Sequence, residues 1–175
     1  METTLSEGPV VLRSILDSDQ EALATMANNK KVWTNLRDAL PHPYTAKDAA
    51  VFIDIVKQEA LLTKFAITYQ GQFCGIIGLV PQQDVYWQTA EIGYWLGEPF
   101  WNKGIATVAV KLITDYGLNV LNFIRIHTGI FAYNLGSMRV LEKNGYAKEA
   151  IFKKAITKNG QVWDEHRFAI SKPDL

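Results

Sequence analysis

A strand, a glycine-containing loop, a helix and a second strand follow one another between residues 90 and 131. Residues 90–96 have the composition of a strand, residues 106–120 have the spacing of a helix, and residues 125–131 again suit a strand. Two strands joined by a helical crossover run parallel to each other. This unit therefore predicts a sheet that contains a parallel pair.

The rest of the chain predicts two earlier helices and antiparallel hairpins. Thr45 and Asp48 form a capping-box pattern before a helix, whose apolar face we expect to consist of Val51, Ile55, Leu61 and Leu62. Gly71 and the pair Asn159-Gly160 each separate two strand-like runs, which is typical of hairpins. The predicted order β-α-α-β-β-β-α-β-α-β-β describes a mixed α/β fold with a mostly antiparallel sheet.

Composition limits the class of protein. The 175 residues suit a single domain, 1–175, and 18 basic residues balance 18 acidic ones, so no charge excess favours nucleic acid or an anionic membrane as a partner. The single cysteine, Cys74, excludes an internal disulfide, and the three histidines lack metal-ligand spacing. The sequence has no signal-peptide pattern and no apolar run of about 20 residues, so we expect a cytoplasmic protein. We also expect it to be a monomer or a homodimer.

The loop before the central helix has the features of an anion site. The first N–H groups of a helix lack internal partners, and the helix dipole favours negative charge there. Gly104 allows close approach of a phosphate, and Lys103 adds a positive charge. Many helices begin after a glycine and bind nothing, and neither GxxxxGK[ST] nor GxGxxG is present, so the loop alone leaves both interpretations open.

Several motifs taken together resemble the GNAT acetyltransferases. They are, in chain order, Ala90-Glu91-Ile92-Gly93-Tyr94-Trp95-Leu96, then Trp101-Asn102-Lys103-Gly104-Ile105-Ala106, then Asn134-Leu135-Gly136-Ser137 and Lys143-Asn144-Gly145-Tyr146. Within that family the chain looks like the RimJ/RimL type, which acetylates ribosomal-protein N-termini. Trp101 departs from the Gln or Arg that opens the family's [Q/R]-x-x-G-x-[G/A] loop. The resemblance implies acetyl-CoA as cosubstrate, no metal, and a parallel pair that splays apart to admit the cofactor's arm.

The resemblance also implies which residues contact acetyl-CoA. The second half of the central strand is expected to pair its backbone with the pantetheine amides, through Ile92, Gly93, Tyr94, Trp95 and Leu96. The loop and first helical turn are expected to hold the pyrophosphate, through Trp101, Asn102, Lys103, Gly104, Ile105, Ala106 and Thr107. Asn134 and Ser137 complete the predicted set, and the N–H near Tyr94 is expected to polarise the acetyl carbonyl. Gly93 suggests a bulge or a close approach, or else a glycine at a crowded point of the core.

Glu91 is the candidate base. Alternation places it on the strand face opposite Ala90 and Ile92, and histone acetyltransferases of the GNAT family carry a catalytic glutamate in a matching Ala-Glu-Ile strand. A carboxylate that merely faces solvent is an equal alternative. A lysine amine, with a pKa of ~10.4, needs such a base more than an α-amine, with a pKa of ~8, does.

Ser137 is the candidate acid. The wider family often uses a tyrosine seven residues after the Asn134 position to protonate the CoA thiolate, but that position here is Leu141. RimJ/RimL-like enzymes carry a serine three residues after the asparagine, and Ser137 matches it. Capping of the following helix by Asn134 is the structural alternative, although a cap does not require a serine at 137.

Other candidates concern the acceptor. Trp33, Arg37 and His42 are predicted to line its site together with Glu91, whereas the alternation around His127 predicts a histidine in the core. The chain is thus expected to be an enzyme in which the amine attacks the thioester directly in a ternary complex, with Cys74 as a bystander. A CoA-binding sensor or regulatory module without catalysis is the alternative.

Overall fold

The computed structural model describes residues 3–173 and divides into two compact units. The first comprises the described residues up to Gly78 together with Tyr94–Leu112, and the second comprises Leu79–Gly93 and the described residues from Ile113 onward. Residues 3–173 contain eight strands and five α-helices, and together they form the mixed α/β fold that the sequence predicts. Seven of the predicted strands are present, and β1 is an additional one.

The first unit contains four antiparallel strands in the order β1-β2-β3-β4. They are β1 Leu5–Glu7, β2 Val10–Arg13, β3 Lys64–Tyr69 and β4 Gln72–Pro81, whose last residues enter the second unit. The predicted hairpin is present, and its turn consists of Gln70 and Gly71, which both have positive φ, of 50° and 79°.

Three helices precede β3 in the first unit: α1 Gln20–Ala27, α2 Lys30–Thr34 and α3 Ala46–Lys57. Helix α2 is additional to the two helices that the sequence predicts before β3. The predicted capping box of α3 is confirmed, since Thr45 accepts from the Asp48 N–H and Asp48 accepts from the Thr45 N–H at 2.8 Å.

The predicted apolar face of α3 is wrong. Val51 and Ile55 are half exposed, at 50% and 55%, whereas Ala49 and Ile53 are buried with α1 and the sheet. The positions i and i+4 form a stripe in either register. The stripe of Ala49 and Ile53 faces the core because the small Ala49 side chain permits close packing. The pattern of apolar residues alone did not distinguish this stripe from the one that contains Val51 and Ile55.

The second unit contains the parallel pair and the closing hairpin, in the order β5-β6-β8-β7. The strands are β5 Thr89–Leu96, β6 Arg125–Phe131, β7 Ala147–Lys158 and β8 Gln161–Ser171, and the last three residues of β5 belong to the first unit. The parallel register pairs Thr89 with Arg125 and ends at Glu91 with His127, although both strands continue. Such an early end is expected of a parallel pair that separates.

Two helices follow β5: α4 Ile105–Asn119, shared between the units, and α5 Leu135–Lys143. In the second unit, a Cβ on Gly117 of α4 would lie 2.8 Å from Ile126 Cδ1, so the helix backbone lies directly on that face of β6. Ala90, Ile92 and Ile126 are buried on the same side. The side chains of Glu91 and His127 therefore point to the opposite side of the sheet from α4.

Candidate active site

The loop before α4 has the backbone that an anion site requires. Asn102 and Gly104 both have positive φ, of 60° and 76°, and residues 102–104 are exposed. Helix α4 begins at Ile105, and in its first turn the Val108 N–H donates to the Gly104 oxygen at 3.2 Å. Alternating left-handed residues at a helix start direct successive N–H groups outward, which suits an anion.

Two contacts fix this loop in the first unit. The Trp101 indole Nε1 donates to the Leu96 backbone oxygen at 2.7 Å, and the Lys103 ammonium lies 5.5 Å from the centre of the Phe100 ring. A Cβ placed on Gly104 would meet nothing within 4 Å. The space above the loop is therefore open, and Gly104 is required for its backbone conformation rather than for a close internal contact.

The end of β5 approaches its neighbour closely. A Cβ on Gly75 of β4 would lie 2.1 Å from the Trp95 backbone oxygen, and the Gly97 N–H donates to the Cys74 oxygen at 2.8 Å. Gly93 in the second unit behaves differently, because it is exposed and a Cβ there would meet nothing within 4 Å. The alternative of a glycine at a crowded core point is thus wrong for Gly93.

Glu91 and His127 lie side by side at the end of the parallel ladder. Both are half-buried, and their neighbours along the strands, Ala90 and Ile126, are fully buried on the other face. The prediction that Glu91 faces away from Ala90 is confirmed. The prediction of a core position for His127 is wrong, because the register with β5 places it on the Glu91 face.

The pKa of His127 lies below its usual 6.5. Burial of the ring lowers it most, and the positive charges of Arg167 and Arg125 lower it further, against the opposing effect of Glu91 and Glu149. At neutral pH the ring is therefore uncharged.

Four charged residues that the sequence analysis did not select surround this pair, namely Arg125, Glu149, Glu165 and Arg167. We call these four, with Glu91 and His127, the charged face. Arg125 pairs with Glu149 through both nitrogens, one of them at 2.8 Å, and Arg167 pairs with Glu165 at 2.5 Å. Alternation along β8 does separate Arg167 from buried Phe168. Only the pairing of β8 with β6 and β7, however, brings these residues to His127.

Asn134 and Ser137 meet at the start of α5. Asn134 is the N-cap, and its Oδ1 accepts from the Ser137 backbone N–H at 3.2 Å. The predicted cap is therefore present, and it uses the backbone rather than the hydroxyl of Ser137. Leu141, at the position of the family's tyrosine, is fully buried in the core.

Of the candidate acceptor residues, Trp33, Arg37 and His42 lie in the first unit, whereas Glu91 lies in the second. Trp33 and His42 stack with ring centres 5.4 Å apart and planes 26° apart, while Arg37 is exposed on the same segment. Glu98, just after β5, accepts from Asn29 Nδ2 at 2.9 Å and also pairs with Lys31. This segment is thereby connected to the turn that leads into the loop before α4.

Two features are absent from residues 3–173. No helix in this part of the chain is both long enough and apolar enough to cross a membrane. Among the same residues, no group of three or more His, Cys, Asp or Glu side chains is placed to hold a metal ion.

Comparison with known proteins also indicates an acetyltransferase. A family model described as an acetyltransferase (GNAT) domain matches residues 10–147. The probable N-acetyltransferase YjcK of Bacillus subtilis is 50% identical over 88 residues, a match that spans 50% of this chain and only 48% of that relative. Spermidine N(1)-acetyltransferase of Escherichia coli is 26% identical over 162 residues, covering 92% and 85% of the two chains.

Among solved structures, the chain resembles RimL, described as a ribosomal L7/L12 α-N-protein acetyltransferase, in complex with coenzyme A. The TM-score is 0.85, with 97% of this chain and 98% of that chain covered. At 19% identity the likeness concerns the fold.

Proposed function

Because this chain belongs to the GNAT acetyltransferase family and is an N-acetyltransferase with acetyl-CoA as donor, we propose that it acetylates a primary amine that carries a single positive charge. We place the α-amine of a protein N-terminus first, as in the RimJ/RimL type, and a small-molecule amine second. The whole of residues 1–175 would act as one GNAT domain.

The observation that carries the proposal is the exposed loop at the start of α4. Asn102 and Gly104 hold left-handed backbone, and the space above Gly104 is open. These residues fit the pyrophosphate of acetyl-CoA, with Lys103 adding charge and the first turn of α4 supplying N–H groups. Trp101 would contribute mainly by fixing the loop, since its indole N–H already donates to Leu96.

Each catalytic candidate has one task. Bound acetyl-CoA supplies an acetyl group activated as a thioester, and the Tyr94 N–H polarises its carbonyl. Glu91 accepts one proton from the acceptor ammonium, which frees the lone pair that attacks the acetyl carbon directly. Ser137 donates its hydroxyl proton to the leaving sulfur and takes up, through water, the second proton that the attacking nitrogen loses as the amide forms. No acyl-enzyme forms, so Cys74 takes no part.

The charge of the second unit favours a singly charged acceptor. The charged face contains three carboxylates but also two guanidinium groups, since Glu149 pairs with Arg125 and Glu165 with Arg167. A polyamine carries several positive charges and would meet two guanidinium groups there. An α-amine carries only one charge and, with a pKa near ~8, needs only modest help to lose its proton.

The test is thiol release from acetyl-CoA with a matched panel of acceptors. It would include peptides with free and blocked N-termini, spermidine, an aminoglycoside and free amino acids. We expect turnover with free N-terminal peptides and none with their blocked forms. Spermidine as the best substrate would overturn the acceptor class.

Two variants distinguish catalysis from CoA sensing. Gly104→Trp should abolish CoA binding under either interpretation, because a large side chain would occupy the open space above the loop. Ser137→Ala should retain CoA binding and lose turnover only if the protein is catalytic. CoA binding without turnover toward any acceptor would favour a sensor.

A further inference from the structure

His127 lies at the point where the parallel strands stop pairing, next to Glu91. In the register of β5 and β6 the two residues are partners, and both side chains lie on the face opposite α4. The negative charge of Glu91 acts to raise the pKa of His127, against the larger effects of burial and Arg167. The histidine is therefore placed to contact the carboxylate that we propose as the base.

The partner of His127 Nδ1 determines the tautomer of the ring. Arg167 Nη2 lies 3.4 Å from that nitrogen with hydrogen-bond geometry. A guanidinium group has only donors, so Nδ1 must accept. A neutral imidazole that accepts at Nδ1 carries its proton at Nε2. His127 is then a donor through Nε2–H and is unsuited to be the base itself.

Arg167 is itself held in place by three features of the second unit. Glu165 binds its Nη1 at 2.5 Å, and the Phe152 ring lies 5.4 Å from its central carbon. Gly129 provides room, because a Cβ there would lie 2.0 Å from Glu165 Oε1 and 3.0 Å from Arg167 Nη1. Any side chain at 129 would displace the ion pair.

Charged groups face His127 from every strand of this unit. They are Glu91 of β5, Arg125 of β6, Glu149 of β7, and Glu165 and Arg167 of β8. Arg125 and Glu149 are paired with each other, as are Arg167 and Glu165. Three carboxylates and two guanidinium groups leave only a small net charge around the ring, and burial favours its uncharged form.

We propose that Arg167 fixes His127 as the Nε2–H tautomer and that this ring orients the Glu91 carboxylate toward the acceptor amine. His127, Arg167 and Glu165 are then positioning residues for the proton transfer. This inference rests on the proposed function for its role in the reaction. The tautomer itself can be measured whether or not an acceptor is known.

The first test is NMR of the histidine ring nitrogens in the wild-type protein. His42→Gln and His166→Gln assign the three histidines, and His166 lies on the opposite face of β8. At pH 7.5 we expect His127 to be neutral with its proton on Nε2. A proton on Nδ1, or a charged ring at that pH, would overturn the proposal.

The second test displaces the Arg167 contact without removing the histidine. Gly129→Ala should move the ion pair, and Arg167→Met should remove the donor. Both should give a mixture of tautomers and raise the pKa of His127, since a neighbouring positive charge has moved away or gone. An unchanged tautomer in both folded variants would contradict the role of Arg167.

The kinetic test uses substitutions of His127. Gln places an amide donor near the position of Nε2, whereas Phe keeps ring volume without a donor. We expect His127→Phe to lower kcat/KM by roughly 10- to 100-fold with KM for acetyl-CoA unchanged, and His127→Gln to restore most of it. His166→Gln is the matched control. Equal losses for Gln and Phe would refute the positioning role, whereas absence of turnover in the wild type would concern only the proposed function.

Discussion

The indole Nε1 of Trp101 donates a 2.7 Å hydrogen bond to the backbone oxygen of Leu96, the last residue of β5. This bond joins the start of the loop before α4 to the end of the strand that we expect to pair with pantetheine. It also gives a reason for tryptophan where the GNAT pattern has Gln or Arg. The side chain is turned back onto the chain and secures the loop.

Trp101→Phe keeps an aromatic side chain but removes the indole N–H that donates this hydrogen bond. We expect the Kd for CoA to rise by roughly 3- to 10-fold, the equivalent of one hydrogen bond of about 1 kcal/mol. Isothermal titration calorimetry measures the change. Trp87→Phe is the control, because Trp87 is 64% exposed and lies outside the loop. Equal CoA affinity for wild type and Trp101→Phe would mean that the bond does not order the loop.

Gly104 and Gly136 form a matched pair for backbone strain. A Cβ meets nothing within 4 Å at either position, but Gly104 has a φ of +76° whereas Gly136 lies within α5. We expect Gly104→Ala to lower the free energy of unfolding by about 1 kcal/mol, and Gly136→Ala to raise it by up to ~1 kcal/mol. Urea denaturation measures both. A stabilised Gly104→Ala variant would show that the loop tolerates another backbone.

Ser137 and Asn134 separate catalysis from capping. Asn134 Oδ1 binds the backbone N–H of Ser137, so Ser137→Ala leaves the cap intact. We expect Ser137→Ala to lower kcat by roughly 10- to 100-fold with the helix cap retained, and Asn134→Ala to cost about 1 kcal/mol of stability. Acetylation kinetics and thermal melts together check this. A Ser137→Ala enzyme with wild-type kcat would remove Ser137 as the acid.

Cys74 is fully buried, and its Sγ donates to the Ile67 backbone oxygen at 3.2 Å. Burial raises the pKa of the thiol to about 12, so the thiolate nucleophile is absent at neutral pH. Cys74→Ala should therefore retain kcat while losing about 1–2 kcal/mol of stability to the cavity. Loss of turnover in a folded, CoA-binding variant would argue for an acyl-enzyme.

Asp19 and Arg13 form a partly buried ion pair with two contacts of 2.7 Å, and Asp19 also accepts from the Leu16 N–H at 2.8 Å. Burial alone would raise the pKa of Asp19. The hydrogen bonds from Arg13 and Leu16 and the charge of Arg13 outweigh burial and hold that pKa below 3.8.

Since the folded pKa of Asp19 is depressed, its contribution to stability is present above pH 3.8 and disappears as pH falls through the folded pKa. Asp19→Asn should lower the free energy of unfolding by about 2–3 kcal/mol at pH 7 and by a smaller amount at pH 2–3. Thermal melts from pH 2 to 7 compare the two proteins. A difference independent of pH would show that the pair acts through packing only.

Local signals in the sequence account for much of the fold. The capping box of Thr45 and Asp48, the glycine turn after Gln70 and the start of α4 after Gly104 were all predicted correctly. Each depends on residues within a few positions of one another, so chain order contains the information. The family, the N-acetyltransferase class and the use of acetyl-CoA were also predicted, from motifs that are likewise local, and comparison confirms them.

Tertiary structure decided which face of a helix or strand is buried and which residues from distant parts of the chain become neighbours. Helix α3 has two possible apolar stripes, and only packing against α1 and the sheet selects the one with Ala49 and Ile53. His127 alternates like a core residue, yet its pairing with Glu91 and its contact with Arg167, 40 positions along the chain, place it on the charged face. Alternation gives two faces without saying which is buried, and contacts between distant strands exist only once the register of the sheet is set.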